Sequence, residues 1–318
     1  MANDWFERRR FLVSGGAGFL GTRIVAALEA QGAAEVFVPR SDEYDLRQLA
    51  ACEQAFAAAR PDVLIHAAAT VGGIGATSTQ PATFFYDNAA MGLHIVEAAR
   101  RAGVEKVVTV GSVCSYPAET PVPFRESALW DGYPEQTNAP YGLAKKLTLV
   151  QQQAYRAQHG LAGAYLLLAN LYGPGDDFHP DSSHVIPALI RKFSAAVEQQ
   201  AHTVEVWGSG EATREFLYVD DAAAAIVSAA ERYDSPEPVN IGSGSEISIR
   251  ELAECIARFS GFEGRIEFDH SRPDGQARRS LDVSRAREEL GWETGTPLED
   301  GLRRTLAWWR DEAGDQAA

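Results

Sequence analysis

Arg10-Phe11-Leu12-Val13-Ser14-Gly15-Gly16-Ala17-Gly18-Phe19-Leu20-Gly21 decides how the rest of the chain is read. A short apolar run stops at glycines. Phe19 to Gln31 then carries Leu20, Ile24, Val25 and Leu28 on one side of a helix. A Gly-x-x-Gly-x-x-Gly pattern between strand and helix is the context in which backbone cradles a pyrophosphate. Gly15 permits the tight turn, Gly18 lets backbone approach the phosphates, and Gly21 lets the helix sit close on the sheet. The helix N-terminus offers free N–H groups and the positive end of its dipole. Gly15, Gly18, Phe19, Leu20 and Gly21 are therefore the candidate cofactor-binding loop.

Working outward, strand and helix signals alternate. Val36–Val38, Val63–Ile65, Lys106–Val110 and Ala164–Leu168 read as further strands. Leu49–Ala59, Ala89–Arg101 and Tyr141–His159 read as the helices between them. Apolar strands alternating with helices predict an α/β fold, a Rossmann-type doubly wound parallel sheet covered on both faces. After about residue 172 the pattern changes, with a Gly173–Asp177 loop, a helix over Val185–Val197 and short strands at Val204–Trp207 and Phe216–Val219. Asp220–Arg232 reads as helix, Val239–Ile241 as strand, and Ser248–Ser260 as a helix opened by a capping box, Ser248…Glu251. The expected division is a cofactor domain over 1–171, with 204–244 returning to its sheet. A smaller, discontinuous C-terminal substrate lobe takes 172–203 and 245–318, and Gly314–Ala318 are expected to fray.

The 318 residues hold 29 Lys plus Arg against 44 Asp plus Glu, a net charge of −15. Such acidity argues against nucleic acid and anionic membrane as partners, while leaving room for a small anion in a local basic pocket. No apolar run reaches the roughly 18 residues of a membrane span. Met1–Trp5 shows no basic-then-apolar leader, so no signal peptide is expected. Cys52, Cys114 and Cys255 are odd in number and widely spaced, which fits a reducing cytoplasm. No Cys/His group has zinc spacing, and no metal is expected.

The end of the second strand chooses the cofactor. An acidic residue there would bond a ribose 2′-hydroxyl, and an arginine would pair with a 2′-phosphate. Arg40 and Ser41 favour NADP(H), while Asp42 keeps NAD(H) open. Tyr141 and Lys145 lie at i and i+4 on one helix face, where an ammonium would lower the phenol's pKa and ready it for proton transfer. Ser112 ends the fourth strand, and ligands in open parallel sheets bind beyond the strands' carboxyl ends. Ser112, Tyr141 and Lys145 can therefore meet beside a nicotinamide.

With these motifs in this order, and Ala67, Ala68 and Ala69 after the third strand, the chain resembles the extended short-chain dehydrogenase/reductase family. The resemblance implies Tyr141 as acid/base, Lys145 on the nicotinamide ribose, Ser112 on the substrate oxygen and Asn88 in the cofactor wall. A narrower resemblance is to that family's GDP-L-fucose synthase branch. It is carried by Val71–Ile74, Gly111–Pro117, Asn170–Pro180, Ser183–Leu189, Val206–Gly210, Arg214–Leu217 and Arg272–Gly275. It implies 3,5-epimerisation of a GDP-4-keto-6-deoxy-mannose followed by reduction at C4. Epimerisation moves protons α to the ketone and needs a second acid/base pair. Cys114 matches the base and His184 the acid, an imidazolium able to donate near neutral pH, with His184 also against the cofactor. Arg214 and Arg279 are candidates for the diphosphate, Arg191 and Lys192 for the basic pair, and Trp207 for the base or sugar. Asn170, Val185 and Leu189 are expected to line the pocket, and His66 and His179 to be structural.

Ala17 stands where relatives often carry arginine. Leu168-Ala169, Val113 and Ser115 also depart from the branch pattern, which leaves room for a related nucleotide sugar. An NAD-dependent nucleotide-sugar 4-epimerase and a non-catalytic dinucleotide sensor are the alternatives. A homodimer is implied by the resemblance, with Ala82–Ala102 as candidate surface, although its small residues could equally pack inside the monomer.

Overall fold

The computed structural model describes residues 4–272 and 274–317. Met1–Asn3, Pro273 of the Arg272–Gly275 motif and Ala318 lie outside the described residues, as do the side chains of Ile74, Ala76 and residues 313–317.

Six strands form one parallel sheet, in the spatial order Glu35–Phe37, Arg10–Ser14, Val63–His66, Lys106–Ser112, Ala162–Leu168 and Val239–Ile241. Alternate side chains of each strand serve opposite faces. Leu12, Leu64 and Val107 pack with the helices Leu49–Ala59 and Pro81–Ala102. Phe11, Val13, Ile65 and Val108 pack with the helices Phe19–Ala30 and Val219–Arg232. Burial on both faces is why these strands read as unbroken apolar runs. The chain is α/β with the Rossmann-type arrangement. The helix Pro81–Ala102 begins eight residues before the expected Ala89, because a proline fits the first helical turn.

The second body has its own core, where Ile186, Ile190 and Phe193 meet Leu252, Ile256, Leu302 and Leu306. Its strands differ from expectation. Thr203–Trp207 pairs with Arg265–Asp269, and Thr213–Tyr218 pairs with Asn170–Tyr172, Glu246–Ser248 and Arg278–Arg279. Of residues 204–244, only the part from Val219 onward returns to the main sheet. Conversely, Leu281, Val283, Ala286, Leu290 and Trp292 lie in the main core, tied there by Phe124, whose N–H donates to the Ser280 carbonyl (2.8 Å) and whose carbonyl accepts from Asp282 N–H (2.9 Å). The capping box at Ser248 and Glu251 forms as read, and the final helix continues to Ala317 where fraying was expected.

His66 ends the third strand 2% exposed, with Nδ1 2.7 Å from Ser14 Oγ, which fits the structural role expected of it. Burial pulls its pKa down to about 3. The unfolded chain, with an ordinary imidazole, then binds the extra proton at higher pH than the folded one. The contribution to stability is complete above about pH 6.5 and is lost as pH falls toward 3. This one group is expected to cost about 2 kcal/mol between pH 7 and pH 5. Urea unfolding at both pH values should show a correspondingly smaller loss in His66→Asn. An equal loss in both proteins would refute the assignment.

Candidate active site

The cofactor loop is built from close backbone contacts. Gly15 turns with φ 73°, and a Cβ on Gly21 would lie 1.9 Å from the Gly15 carbonyl oxygen. The helix from Phe19 has no side-chain cap at Gly18 and no acidic residue in its first turn. Its first N–H groups therefore stay available to an anion such as a phosphate. Ala67 and Ala68 wall the loop, donating their N–H groups to Ser14 O (3.1 Å) and Ser14 Oγ (3.4 Å), and Ala69 follows them half-buried. Asn88 stands behind it: its amide bonds Thr70 N, Thr70 O and Phe84 O at 2.7–3.0 Å, so both N–H donors are spent on protein. It braces the wall and offers a ligand little. Arg40 is exposed three residues beyond the second strand and forms no ion pair among the described residues.

Ser112 ends the fourth strand, and its Oγ accepts from Cys114 N at 3.2 Å, capping the short turn Val113–Ser115. The helix Ala139–His159 lies directly on that turn. A Cβ on Gly142 would be 2.3 Å from Cys114 O, and Ser115 Oγ donates to Gly142 O at 3.1 Å. This packing sets the Tyr141 phenol near the Ser112 hydroxyl. The expected lowering of the phenol's pKa by Lys145 is not what the geometry produces. Burial and the neighbouring Cys114 raise it, and only the nearby Ser112 hydroxyl opposes them. Lys145 Nζ lies 5.9 Å from the Tyr141 ring and donates to Val110 O at 3.1 Å, leaving two of its three N–H donors free. Its own burial, at 4% exposure, lowers its pKa to about 8.

The lobe closes the other side. Asn170, Leu171, His184, Val185, Ile186, Arg214 and Phe216 line one recess. His184 precedes the helix Val185–Glu198 at the rim of this recess. Water reaches the ring, yet the surrounding protein pushes its pKa below the ordinary value, with Asp177 opposing. That direction disfavours the imidazolium expected of it. Leu189 does not line the recess but lies in the lobe core.

Arg214 donates to the carbonyls of Thr213 (2.7 Å) and Asp274 (2.9 Å), and burial with the adjacent Arg279 lowers its pKa to about 10. Arg279, 8% exposed, donates to Cys114 Sγ at 3.5 Å and to Gln276 Oε1 at 3.2 Å. Among the described residues neither guanidinium forms an ion pair, in a chain of charge −15. Arg279, expected at the diphosphate, thus stands on the cysteine. Farther along, Lys192 Nζ and Arg272 Cζ lie 5.5 and 4.7 Å from the ring centroid of Trp207, itself 55% exposed. Arg191 has a buried Nε with no hydrogen-bond partner among the described residues.

Glu215, a residue that sequence reasoning did not single out, is 1% exposed and accepts from Leu281 N (2.6 Å) and Gly244 N (2.8 Å). Burial pushes its carboxyl pKa up while those bonds oppose it. It fastens the lobe strand beside Arg214 to the loops leading into the main core. Lying in a strand between Arg214 and Phe216, it carries no local signal of burial.

Residues 11–242 match the NAD dependent epimerase/dehydratase family. The chain is 42% identical over 301 residues to the probable GDP-L-fucose synthase 1 of Oryza sativa subsp. japonica, covering 94% of this chain and 92% of that protein. A GDP-6-OMe-4-keto-L-xylo-heptose reductase from C. jejuni superposes with a TM-score of 0.90 at 27% identity, over 96% of this chain and 99% of that one. A GDP-L-fucose synthetase from Naegleria fowleri bound to NADP superposes with a TM-score of 0.85 at 28% identity, over 96% and 94% of the two chains.

Proposed function

The chain belongs to the NAD dependent epimerase/dehydratase family, and from that premise we propose that it converts GDP-4-keto-6-deoxy-D-mannose, or a close analogue, to GDP-L-fucose with NADP(H) as cofactor. The observation that carries this reading is the pair of half-buried or buried guanidiniums, Arg214 and Arg279, without carboxylate partners. They sit beside Cys114 and the Ser112–Tyr141 pair, so the site joins an anion-binding corner to two sets of proton-transfer groups.

The residues present fit the cofactor. The uncapped Gly15–Gly21 loop would hold the pyrophosphate, the unpaired Arg40 the 2′-phosphate, and Tyr141 with the two free donors of Lys145 the nicotinamide ribose. When bound, the reduced nicotinamide supplies the hydride for C4. The neutral Tyr141 phenol donates the proton to the C4 oxygen, with Ser112 orienting that oxygen. Cys114, with the Arg279 guanidinium 3.5 Å from its sulfur, takes the protons at C3 and C5. His184, at the rim of the recess, returns protons on the other face. Arg214 holds the diphosphate, and Trp207 with Lys192, Arg191 and Arg272 forms the nucleoside end. Asn170 and Val185 line the sugar recess. The division into cofactor domain and substrate lobe, and a cytoplasmic location consistent with three free cysteines, belong to the same proposal.

Purified protein given NADPH and GDP-4-keto-6-deoxy-D-mannose should consume NADPH at 340 nm and yield GDP-L-fucose by NMR. Cys114→Ser should lose deuterium wash-in at C3 and C5. A protein that retains NAD+ and interconverts a sugar at C4 without net consumption would be a 4-epimerase. One that binds cofactor and turns over no keto sugar would be a sensor.

Homodimerisation is part of this reading. The small residues of Ala82–Ala102 turn inward, with Ala89, Ala90, Gly92, Ala98 and Ala99 buried. The outer face instead presents Phe85, Tyr86 (66% exposed) and Leu93, beside Leu147 and Val150 of the adjacent helix. Sedimentation velocity should give a dimer, and Tyr86→Lys should shift it toward monomer. A monomeric wild-type protein would refute the interface.

A further inference from the structure

The segment Asp274–Leu281 passes from the lobe to the main core, and two of its side chains reach the Cys114 loop. Gln276 spans the gap with both ends of its amide. Its Nε2 donates to Ala118 O at 2.9 Å, four residues after Cys114, and its Oε1 accepts from Arg279 Nε at 3.2 Å. A guanidinium is planar and its donors are fixed relative to one another. Holding Nε in one direction therefore aims Nη1, which lies 3.5 Å from Cys114 Sγ. The same amide tethers the loop that carries the sulfur. Something must oppose the drift of Arg279 away from this position. Arg214 is its register partner on the neighbouring strand, and the two like charges repel.

We propose that Gln276 is a positioning residue, which holds the Arg279 guanidinium on the Cys114 sulfur and so keeps that sulfur reactive in epimerisation. The relevance to epimerisation rests on the reading of Cys114 as the base. The coupling of Gln276 to the sulfur does not.

The test uses the full-length protein and a probe that needs no sugar. Cys52 and Cys255 are buried and Cys114 is partly accessible, so iodoacetamide modification read by intact mass reports on Cys114. Gln276→Met keeps the length of this half-buried side chain and removes both hydrogen bonds. At fixed neutral pH the variant should alkylate about fivefold more slowly, the factor of one ordinary hydrogen bond. Deuterium wash-in at C3 and C5 should slow by a similar factor, with the KM for NADPH unchanged. In an Arg279→Met background, Gln276→Met should have no further effect on alkylation, because the two act as one unit. Faster alkylation would mean that Gln276 only covers the sulfur, and an unchanged rate would mean that Arg279 does not depend on it; either overturns the proposal. So would a full effect of Gln276→Met without Arg279. Wash-in that persists in Cys114→Ser would instead refute the functional reading and leave the alkylation result standing.

Discussion

Tyr141→Phe is expected to lower NADPH-dependent reduction at C4 by about a thousandfold, within the roughly hundred- to ten-thousandfold range of general acid catalysis. Burial and the adjacent Cys114 hold the phenol in its neutral form, which is the form that can donate. Tyr165 does not replace it, because it is buried and spends its own donor on Lys145 O at 2.8 Å. Deuterium wash-in at C3 and C5 should survive within about twofold, since those steps use Cys114 and His184 rather than the phenol. Following NADPH loss at 340 nm and wash-in by NMR on the same sample separates the two activities. Retention of more than a tenth of the reduction rate would exclude Tyr141 as the proton donor.

Gly21→Ala should abolish useful cofactor binding. Its Cβ would sit 1.9 Å from Gly15 O and 2.6 Å from Gly16 Cα, against backbone on both counts. Nothing flexible can yield, so the helix must withdraw from the loop and carry its N–H donors away from the phosphates. A loss of about a hundredfold in NADPH affinity, roughly 3 kcal/mol, is expected together with a lower Tm. Gly18→Ala is the contrasting case. Its nearest neighbour would be Gly15 O at 3.3 Å, and its φ of −86° suits any residue, so Tm should hold. Fluorescence titration with NADPH and a thermal melt check both. Wild-type affinity in Gly21→Ala would refute the phosphate-loop assignment.

The main sheet was largely legible because its strands are buried on both faces. Arg10–Ser14, Leu49–Ala59 and Val239–Ile241 have the bounds read from the sequence. The lobe was less so. Val204–Trp207 could be seen as a strand, but its partner, Arg265–Asp269, lies some 60 residues away, and pairing at that distance leaves no local trace. The ionisation of the Tyr141 phenol is hidden for the same kind of reason. A lysine four residues after a tyrosine suggests a lowered phenol pKa, but depth of burial decides the sign, and depth belongs to the whole fold. Charge alone points Arg279 to phosphate, and its contacts with Gln276 and Cys114 come from opposite sides of a boundary that the sequence does not mark.

The strand Val239–Ile241 has a further consequence, for the order in which the chain can fold during synthesis. It covers the outer edge of Ala162–Leu168, yet it emerges only after about 70 more residues, most of them belonging to the lobe. Until then a nascent chain presents five strands and an open edge of unpaired amides and carbonyls beside Leu166, Leu167 and Leu168. Such an edge is a template for pairing with other chains. A ribosome paused in the lobe therefore holds an aggregation-prone intermediate. Chains truncated near residue 235 should accumulate in the insoluble fraction, while those extending past Ile241 have the means to close the sheet.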